Sequence, residues 1–459
     1  MERMTLAEII KAVDGSYGFP ADVEVNSISS DTRTIKEGSV FVALKGEHFD
    51  GHDYAKAAME KGAAAVISER AIDGARCIIV DSTGKALLDL AGYYRRKFNI
   101  PLIGITGSVG KTTTKDMIAN VVSEQYNTLK TQGNKNNEIG LPTTLFGLEK
   151  THTAAVIEMG MSHLGEISRL SMCCQPTMAV ITNIGYSHIE NLGSRENILK
   201  AKLEILDGTD YSAPLILCKD DKMLCSAEIH GGRRVIYYSV NRRDCDVYAT
   251  DINNNSDSVS FVIHYSEGEV NAVINCMGVH NVKNALAAFC VGRELNIPPE
   301  KIIAGIAKYK PEGLRQNIKI SEGKTFIVDC YNASPDSMQA AVSVLDDVVV
   351  KNGGKRYCVL ADMLELGEMS KKLHKIVGGF VAASKCDELL CFGENSVYYI
   401  DGAVKKGFDR QKCHHFDSRE EMAEYLKANL KENDAVLFKG SRGMKLEEVV
   451  KCFGAELCS

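Results

Sequence analysis

The chain has 459 residues, of which 45% are hydrophobic and 25% are charged, a composition typical of soluble globular proteins. At roughly 150 residues per domain, this length predicts about three domains. The formal net charge of −6 argues against a general nucleic-acid binder, because no excess of basic residues is present to neutralise phosphates.

The cysteines and the chain start predict the cellular compartment. None of the 15 cysteines belongs to a C-x-x-C pair, and many stand in apolar runs such as NALAAFCVG, so we interpret them as reduced core thiols. The first residues, MERMTLAEII, carry charges where a signal peptide needs an apolar core. No stretch approaches the ~20 apolar residues that span a bilayer. We therefore expect a cytoplasmic protein with no membrane insertion.

Residues 1–98 are predicted to form a small α/β domain. Amphipathic patterns of helical period alternate there with short buried runs, which is typical of strands covered by helices. Helices are predicted at residues 5–13, 54–61 and 84–97, and strands at 40–44, 63–68 and 77–80. Asn99-Ile100-Pro101 then marks a boundary.

Residues 99–313 are predicted to form a central domain. Strands are expected at 102–105, 154–158, 178–183 and 214–217, and helices at 112–124 and 280–295. Because strands alternate with helices, we expect a parallel sheet with helices on both faces. Between about 234 and 277 the pattern changes to alternating runs separated by turns, which predicts an antiparallel patch attached to the sheet.

Residues 314–459 are predicted to form a Rossmann-like domain. Strands are expected at 325–329, 357–361, 388–392 and 435–439, and helices at 335–350, 371–384 and 419–430. No G-x-G-x-x-G follows the first of these strands, so a dinucleotide-binding role is unsupported. The predicted fold class is therefore α/β, with three domains.

The run GITGSVGKTTTK at residues 104–115 indicates a phosphate loop, because it follows a buried strand and precedes a helix. Its first glycine is residue 104, one position before that of the strict motif. Lys111 is expected to hold terminal phosphates and Thr112 to ligate Mg²⁺. The loop alone fits a GTPase switch, a kinase or a ligase. GNKNN at 133–137 has Asn137 where a guanine-reading loop has Asp, and we interpret it as a polar loop.

Three further residues have ambiguous positions. Glu158 ends a buried strand, where a metal ligand or a solvent-facing charge are equally reasonable readings. His188 has a similar position after the next strand, although an isolated histidine is usually structural. Lys202 lies in a helical pattern and would, on composition alone, be a surface lysine.

Several motifs together resemble the Mur ligase family of bacterial cell-wall synthesis. GITGSVGKTTTK, NKNNEIGLP, IEMGMSHLGEIS, ITNIGYSHIENLGS and AKLEI stand in the order and spacing of that family. SSDTR, GVHNVKNALAA, GLRQ, VDCYNASPDSM, LADMLELGE and LFKGSRGM extend the resemblance over nearly the whole chain. YNASP and DMLELGE resemble the member that adds D-alanyl-D-alanine, and no DNPR-type motif of the tripeptide-forming member is present. Departures from the usual pattern are Thr32, Val109, Met161, Ser334 and Ala361.

The resemblance implies an ATP-dependent ligase that uses Mg²⁺. Its substrates would be a UDP-N-acetylmuramoyl-tripeptide, bound by residues 1–98, and D-alanyl-D-alanine, bound by residues 314–459, with ATP bound by residues 99–313. The chain would act as a monomer. Two alternatives are a related ligase that adds a single amino acid, and a non-enzymatic P-loop nucleotide switch.

The resemblance also implies roles for individual residues. The implied catalytic residues are Lys111, Glu158, His188 and Lys202, the last as a carbamylated lysine, and the implied Mg²⁺ ligands are Thr112, Glu158, His188 and Lys202. The implied ATP contacts are Gly107, Ser108, Val109, Gly110, Lys111, Thr112, Thr113, Asn281, Asn284 (for adenine), Arg315 (for the γ-phosphate) and Asp329 (for the ribose). The implied contacts with the uridine nucleotide are Ser30, Arg33, Gly46, Asp50 and His52, and those with the dipeptide are Tyr331, Asn332 and Ser334. Gly440, Ser441 and Arg442 could form either a tight strand-to-helix turn or a ligand contact, and the sequence does not decide between these two roles.

Overall fold

The computed structural model describes residues 1–229, 231–255, 257–311, 313–351 and 353–458. Its strands form four sheets: a two-stranded sheet and a four-stranded sheet at the N-terminus, a nine-stranded sheet in the middle of the chain and a six-stranded sheet toward the C-terminus. The α/β class predicted from the sequence is confirmed. None of the described helices is both long and apolar enough to cross a membrane.

The N-terminal part is built around the four-stranded sheet, whose strands are all parallel and follow chain order. The strands are β1 (Met4–Thr5), β2 (Glu24–Val25), β3 (Ser27–Ser29), β4 (Ser39–Val42), β5 (Ala65–Ser68) and β6 (Cys77–Ile79), and the helices are α1 (Leu6–Ala12), α2 (Ala55–Glu60) and α3 (Thr83–Arg95). Helix α1 begins with a capping box, in which Thr5 accepts from the amide of Glu8 and Glu8 accepts from the amide of Thr5.

The central part forms the nine-stranded sheet in the order β15-β14-β13-β12-β11-β10-β7-β9-β8. Its strands are β7 (Leu102–Thr106), β8 (Thr128–Lys130), β9 (Ala154–Glu158), β10 (Met178–Ile181), β11 (Leu215–Cys218), β12 (Val235–Ser239), β13 (Val247–Asn254), β14 (Val259–Tyr265) and β15 (Gly268–Ile274). Its helices are α4 (Lys111–Val122), α5 (Gly140–Leu145), α6 (Glu166–Cys174), α7 (Ile189–Leu192), α8 (Arg195–Leu203), α9 (Lys222–Cys225), α10 (Val279–Glu294) and α11 (Pro299–Ala307).

The antiparallel patch is shorter than predicted. Strand β12 pairs in parallel with both β11 and β13, so residues 235–239 belong to the parallel region. Antiparallel pairing is confined to β13, β14 and β15. The crossover that contains α9 accounts for the parallel pairing of β11 and β12, whereas the parallel pairing of β12 and β13 across the short 240–246 connection is not explained by connection length.

The C-terminal part forms the six-stranded sheet in the order β16-β17-β21-β18-β19-β20, parallel except for β16. Its strands are β16 (Asn317–Ser321), β17 (Lys324–Asp329), β18 (Arg356–Ala361), β19 (Glu388–Phe392), β20 (Cys413–Phe416) and β21 (Ala435–Lys439). Its helices are α12 (Pro335–Asp347), α13 (Ser370–Ala382), α14 (Val397–Lys405), α15 (Arg419–Asn429) and α16 (Glu447–Lys451). The sequence patterns missed β16, β20, α14 and α16, which are short or lie at the sheet edge.

Helix α3 connects the first sheet to the central part through two polar side chains that leave its C-terminal end. The Tyr94 hydroxyl donates to the carbonyl of Leu148 at 2.6 Å. The buried guanidinium of Arg95 donates to Cys174 O at 3.1 Å and to Ile100 O at 3.1 Å. These bonds satisfy carbonyls that would otherwise be buried without donors.

Helices α13 and α14 pack so closely that two glycines are needed at their contact. A Cβ at Gly378 would lie 2.0 Å from the carbonyl oxygen of Tyr399, and a Cβ at Gly402 would lie 2.0 Å from that of Lys375. Both distances are far below van der Waals contact with a backbone atom, so the helices would have to separate to admit a methyl group.

We therefore expect Gly378→Ala to lower the free energy of unfolding by about 1–3 kcal/mol, the usual cost of overpacking. The matched control is Gly379→Ala on the same helix, where a Cβ would meet only Lys406 Cγ at 3.7 Å. That control should be neutral or gain up to about 1 kcal/mol from helix propensity. Urea denaturation followed by circular dichroism measures both, and equal stability of the two variants would contradict the packing argument.

Candidate active site

The phosphate loop lies between β7 and α4, and Gly107 and Gly110 give it its shape. Their φ angles of 149° and 82° lie in the region that favours glycine. A Cβ at Gly107 would also lie 1.9 Å from Thr182 Oγ1, so the loop runs directly against the strand-end residue of β10. Lys111 folds back over the loop and donates to Gly107 O at 2.8 Å.

Asn183, which the sequence analysis did not select, holds the loop in place. Its carbonyl accepts from the amide of Ser108 at 3.0 Å, and its Oδ1 accepts from the amide of Val109 at 2.9 Å. The amides of Ser108 and Val109 are therefore used inside the protein. The N-cap of α4 is Gly110, which has no side chain to bond the free amides of the first helical turn. These first-turn amides are therefore the ones oriented to bind an anion.

Glu158 ends β9 with one carboxylate oxygen paired and one unpaired. Asn136 Nδ2 donates to Oε1 at 2.7 Å, whereas the buried Oε2 has no hydrogen-bond partner among the described residues. The side chain is 2% exposed, so the solvent-facing reading is wrong. A buried carboxylate oxygen without a donor is costly unless a cation or a ligand donor meets it. Asn136 belongs to the loop that the sequence analysis treated as merely polar.

Lys202 is buried, which contradicts the surface reading. It is 1% exposed, and its Nζ has no hydrogen-bond partner among the described residues. Burial lowers its pKa well below the ordinary value, the positive charge of Lys111 lowers it further, and the carboxylates of Glu166, Glu204 and Glu158 oppose the change. The neutral amine, which is a nucleophile, is therefore favoured. Lys202 does not line the cavity described below, although Glu158 and Glu166 do.

His188 follows β10 and lies on the same side of the sheet as the phosphate loop. The hydroxyl of the preceding residue, Ser187, donates to Ser108 O at 3.2 Å, which ties the two loops together. Nδ1 of His188 lies 2.6 Å from Oε2 of Glu365, a residue of the C-terminal part. Glu365 was part of a quoted motif but was not assigned a role.

The start of α10 forms a second wall. Asn284 Oδ1 accepts from Thr114 Oγ1 at 3.0 Å, and Asn284 Nδ2 donates to Asn281 Oδ1 at 3.1 Å. Asn281 Nδ2 donates in turn to Gln316 Oε1 at 2.9 Å, across to the C-terminal part. Burial lowers the pKa of the neighbouring His280. Because a Cβ at Gly110 would lie 3.0 Å from its Oδ1, Asn284 sits beside the phosphate loop.

The C-terminal part supplies the opposite wall. The guanidinium of Arg315 lies over the Tyr331 ring, 3.7 Å from its centroid. Asp329 Oδ2 accepts from Lys439 Nζ at 2.7 Å, and Lys439, only 1% exposed, also donates to Asn332 O at 3.0 Å. Lys439 ends β21 and was missed, although a lysine that closes a buried strand was a visible signal.

One cavity of about 760 Å³ brings these walls together. Among the predicted residues, it is lined by Ser108, Val109, Gly110, Lys111, Thr112, Thr113, Glu158, His188, Asn281, Asn284, Arg315, Asp329, Tyr331, Asn332, Ser334, Ser441 and Arg442. Gly107, Lys202 and Gly440 are not in its lining. Ser334 is the N-cap of α12, and its amide donates to Ser337 Oγ at 2.9 Å.

Of the five residues predicted for the uridine nucleotide, Ser30 lines a second cavity, whereas the other four line neither this cavity nor the central one. That second cavity, of about 390 Å³, lies between the β3 region and α5, and it is lined by Ser27, Ile28, Ser29, Ser30, Asp31, Thr34, Lys36, Leu87, Thr143 and Phe146. Arg33 pairs with Asp31 at 2.7 Å, and this partner lowers the pKa of Asp31 to about 2.

Gly46, Asp50 and His52 line neither cavity. His52 is 4% exposed, and both ring nitrogens are occupied within the protein: Nδ1 lies 2.5 Å from Asp50 Oδ1, and Nε2 accepts from the amide of Glu69 at 3.0 Å. Asp50 also accepts from Arg70 at 3.2 Å. The structure therefore places His52 as a residue that fixes Asp50 and the 69–70 turn rather than as an open ligand contact.

Comparison with known proteins gives a consistent match along the chain. Three family models match: "Mur ligase family, catalytic domain" at residues 24–91, "Mur ligase middle domain" at 105–292 and "Mur ligase, glutamate ligase domain" at 314–442. The Bacillus subtilis protein named UDP-N-acetylmuramoyl-tripeptide–D-alanyl-D-alanine ligase is 38% identical over 98% of both chains. The Escherichia coli protein of the same name is 35% identical over 98% of both chains.

Solved structures agree with these matches. MurF from Acinetobacter baumannii superimposes with a TM-score of 0.91 at 31% identity, covering 100% of this chain and 99% of that one. MurF ligase from Thermotoga maritima in complex with ADP gives a TM-score of 0.84 at 30% identity, covering 94% of this chain and 97% of that one.

The Asn136–Glu158 hydrogen bond is open to a direct test. Asn136→Ala should leave both carboxylate oxygens without a protein partner and weaken divalent-cation binding roughly 10- to 100-fold, as loss of a group that orients a ligand usually does. Isothermal titration with Mn²⁺ in the presence of a non-hydrolysable ATP analogue measures the affinity.

Lys135→Ala is the matched control, because Lys135 is an exposed neighbour on the same loop that does not line the cavity. The control should bind Mn²⁺ like the unmodified protein. An Asn136→Ala variant with unchanged Mn²⁺ affinity would show that Glu158 needs no such support.

Proposed function

The chain belongs to the Mur ligase family, and we propose that its central cavity joins D-alanyl-D-alanine to UDP-N-acetylmuramoyl-tripeptide at the expense of ATP. The observation that carries this proposal is one cavity of about 760 Å³ lined by the phosphate loop, by Glu158 and His188, and by Tyr331, Asn332 and Ser334 of the C-terminal part. A ligase must bring a nucleotide, an acid and an amine together in this way. The named relatives favour this reaction over a ligase for single amino acids and over a nucleotide switch.

The reaction follows from the chemistry of its substrates. A carboxylate is a poor acyl donor, because its leaving group would be an oxide. Its oxygen therefore attacks the γ-phosphorus of ATP, ADP leaves, and an acyl phosphate forms. The dipeptide nitrogen then attacks the acyl carbon, loses a proton, and expels phosphate. The protein contributes chiefly by positioning the three substrates and by offsetting negative charge as it moves.

Lys111 and the first turn of α4 are suited to the phosphates. The Lys111 ammonium already lies over the loop. Its pKa is lowered, chiefly by burial, while the carboxylate of Glu158 opposes this change and the positive charge of Arg315 adds to it. We assign Arg315, stacked on Tyr331, to the γ-phosphate as it transfers, and Asp329, oriented by Lys439, to the ribose hydroxyls. Asn281 and Asn284 complete the nucleotide side, with adenine recognition assigned to Asn284.

The donor set fits a Mg²⁺ ion. Glu158 Oε2 is a buried oxygen without a partner, and Thr112 and His188 line the same cavity. Within the described ranges no three His, Cys, Asp or Glu side chains form a group that could hold a metal ion, so phosphates and water would have to complete the shell of a Mg²⁺ ion. When bound, the ion would offset the charge of the phosphates.

Lys202 is proposed to carry a carbamate. Its buried nitrogen has no partner among the described residues and favours the neutral amine, the form that attacks carbon dioxide. Attack of the neutral amine on carbon dioxide forms a nitrogen–carbon bond, and loss of one proton from that nitrogen leaves an anionic carbamate in place of a neutral group. An anion there would add a carboxylate to the cation-binding group around Glu158.

The second cavity supports a place for the uridine nucleotide. It borders α5, and the loop before α5 contributes Asn137, Glu138 and Ile139 to the central cavity. An extended substrate could thus run along α5, with its nucleotide beside Ser30 and its peptide end near Glu158. Arg33, Gly46 and Asp50 lie outside the lining of this cavity, so their contact with the nucleotide remains a separate part of the proposal.

The proposal includes an organisation of the chain. We propose three domains, at residues 1–98, 99–313 and 314–459, because each of the larger sheets lies wholly within one of these ranges. We also propose a monomer, since one chain supplies all walls of the central cavity. A cytoplasmic location is supported by the cysteines, all 15 of which are free thiols.

The decisive experiment measures ADP release with both acceptors varied. ADP should form rapidly only when D-alanyl-D-alanine and a UDP-N-acetylmuramoyl-tripeptide are both present, with the tripeptide ending in lysine or in diaminopimelate in parallel assays. Mass spectrometry should identify the pentapeptide product. Hydrolysis that is independent of both acceptors, or that responds to a free amino acid instead of the dipeptide, would contradict the proposal.

The role of Lys202 gives a second expectation. Lys202→Ala should lower turnover by several orders of magnitude while leaving the affinity for ATP within about threefold, and short carboxylates such as acetate should restore part of the rate, since they supply the missing anion. Steady-state assays and nucleotide titration measure these effects.

Lys200→Ala is the matched control, because Lys200 lies two residues away on α8 and is exposed. It should retain full turnover. Full activity of Lys202→Ala, or no response to added carboxylates, would exclude the carbamate.

A further inference from the structure

The turn that carries His188 is held by a residue of the C-terminal part. Nδ1 of His188 lies 2.6 Å from Oε2 of Glu365, which follows β18. The amide of Glu190 also donates to the carbonyl of Glu365 at 3.3 Å. A Cβ at Gly367 would lie 3.2 Å from Glu190 Cγ, so the 365–367 segment fits closely against the turn. Both the side chain and the main chain of Glu365 therefore contact the residues around His188.

Each partner of this pair is fixed within its own part of the chain. On the C-terminal side, the amide of Met363 donates to His374 Nε2 at 3.1 Å, and the amide of Leu364 donates to Ser441 Oγ at 2.9 Å. On the central side, Ser187 donates to the phosphate loop at Ser108 O. The pair thus joins two loops that are themselves anchored, so its geometry depends on how the two parts dock.

The backbone at both positions is unusual. His188 has φ of 62° and Glu365 has φ of 61°, in the left-handed region that residues with a Cβ rarely adopt. Such conformations persist only where surrounding contacts impose them, and they concentrate at functional sites. Two of them face each other here across an ion pair.

We propose that Glu365 is a positioning residue for His188, and that the cation-binding group is complete only when the C-terminal part is docked. A histidine that binds a metal through one ring nitrogen commonly donates its other N–H to a carboxylate, which fixes the tautomer and the ring orientation. Nδ1 is buried and lies 2.6 Å from Oε2 of Glu365 but is not aligned for a hydrogen bond with any described residue, so donation to Glu365, which would leave Nε2 for a ligand, needs a rotation of the ring.

Simple stabilisation of the docked arrangement is a weaker explanation for the pair. The Glu365 side chain is 58% exposed and that of His188 is 21% exposed. Water reaches the Glu365 side of the pair and screens its charge, although Nδ1 of His188 is itself buried, so the contribution of the pair to stability is modest.

The inference rests on the proposed function only through the assignment of His188 to the cation. It extends that assignment by coupling two events. Docking of the C-terminal part would bring Glu365 to His188, and so prepare the cation-binding group at the moment when Arg315 and Tyr331 reach the same cavity. An undocked molecule would hold Mg²⁺ and nucleotide less tightly, which would limit ATP loss without the acceptor.

The test measures Mn²⁺ affinity of the full chain by electron paramagnetic resonance in the presence of a non-hydrolysable ATP analogue. Glu365→Ala should weaken Mn²⁺ binding roughly 10- to 100-fold. Glu365→Gln should have a smaller effect, because its amide oxygen can still accept from Nδ1. Nucleotide affinity without metal should stay within about twofold in both variants.

The matched control is Glu368→Ala, which removes the same charge from an exposed residue of the same segment. It should leave Mn²⁺ affinity unchanged. A double-mutant comparison then separates positioning from a general structural role: in a His188→Ala background, Glu365→Ala should add less than a twofold further loss. A merely structural contact would instead lower Mn²⁺ affinity by the same factor in both backgrounds.

Unchanged Mn²⁺ affinity in Glu365→Ala would overturn the inference, as would a full further loss in the His188→Ala background. Neither result depends on turnover, so the proposed ligase activity is judged separately by acceptor-dependent ADP release. If the unmodified protein released no ADP with both acceptors, the proposed function would fail while the Mn²⁺ comparison would still decide the role of Glu365.

Discussion

The site depends on one geometric constraint, namely that parallel strands end at the same edge of a sheet. Strands β9 and β10 flank β7 on either side, all in parallel. The phosphate loop after β7, Glu158 at the end of β9 and His188 after β10 are therefore brought to one edge, although they are far apart along the chain. The chain reverses direction of winding at β7, and such a switch point is where ligands bind in open α/β sheets.

A second feature is the arrangement of charges withdrawn from water. Glu158 and Lys202 are almost completely buried, and each has a polar atom without a partner among the described residues. Buried groups of this kind destabilise a fold unless something compensates them. Phosphates and a divalent cation would compensate them when bound. These uncompensated groups lie at the place where two highly anionic substrates, ATP and the UDP-linked peptide, must meet.

The docking of the C-terminal part completes the cavity. Gln316 accepts from Asn281, Glu365 pairs with His188, and Arg315 faces the phosphate loop across the cavity. Each of these interactions joins a residue that we propose for nucleotide or cation binding to a residue beyond position 313. A ligase gains from this design because the reactive acyl phosphate would form only where water has been excluded.

Much of this organisation could be read from the sequence. The alternation of buried strands and amphipathic helices determined the α/β class, because period and polarity are local properties of the chain. The strands β9, β19 and β21 matched their predicted bounds for the same reason. The phosphate loop was identified by glycines, lysine and threonines between a strand and a helix, and family resemblance then pointed to Glu158, His188 and Lys202.

Only the tertiary structure decided which of those residues are buried and what they contact. Lys202 and Glu158 are charged residues of the types usually found at the surface. The neighbouring sequence does not show that a helix and a sheet edge enclose them. Asn136, Asn183, Glu365 and Lys439 escaped selection because their importance lies in partners far along the chain. His52 was selected from a motif, but the structure shows both of its ring nitrogens occupied by contacts within the protein. Hydrogen-bond partners and burial arise from the packing of distant segments, and a linear pattern does not contain that information.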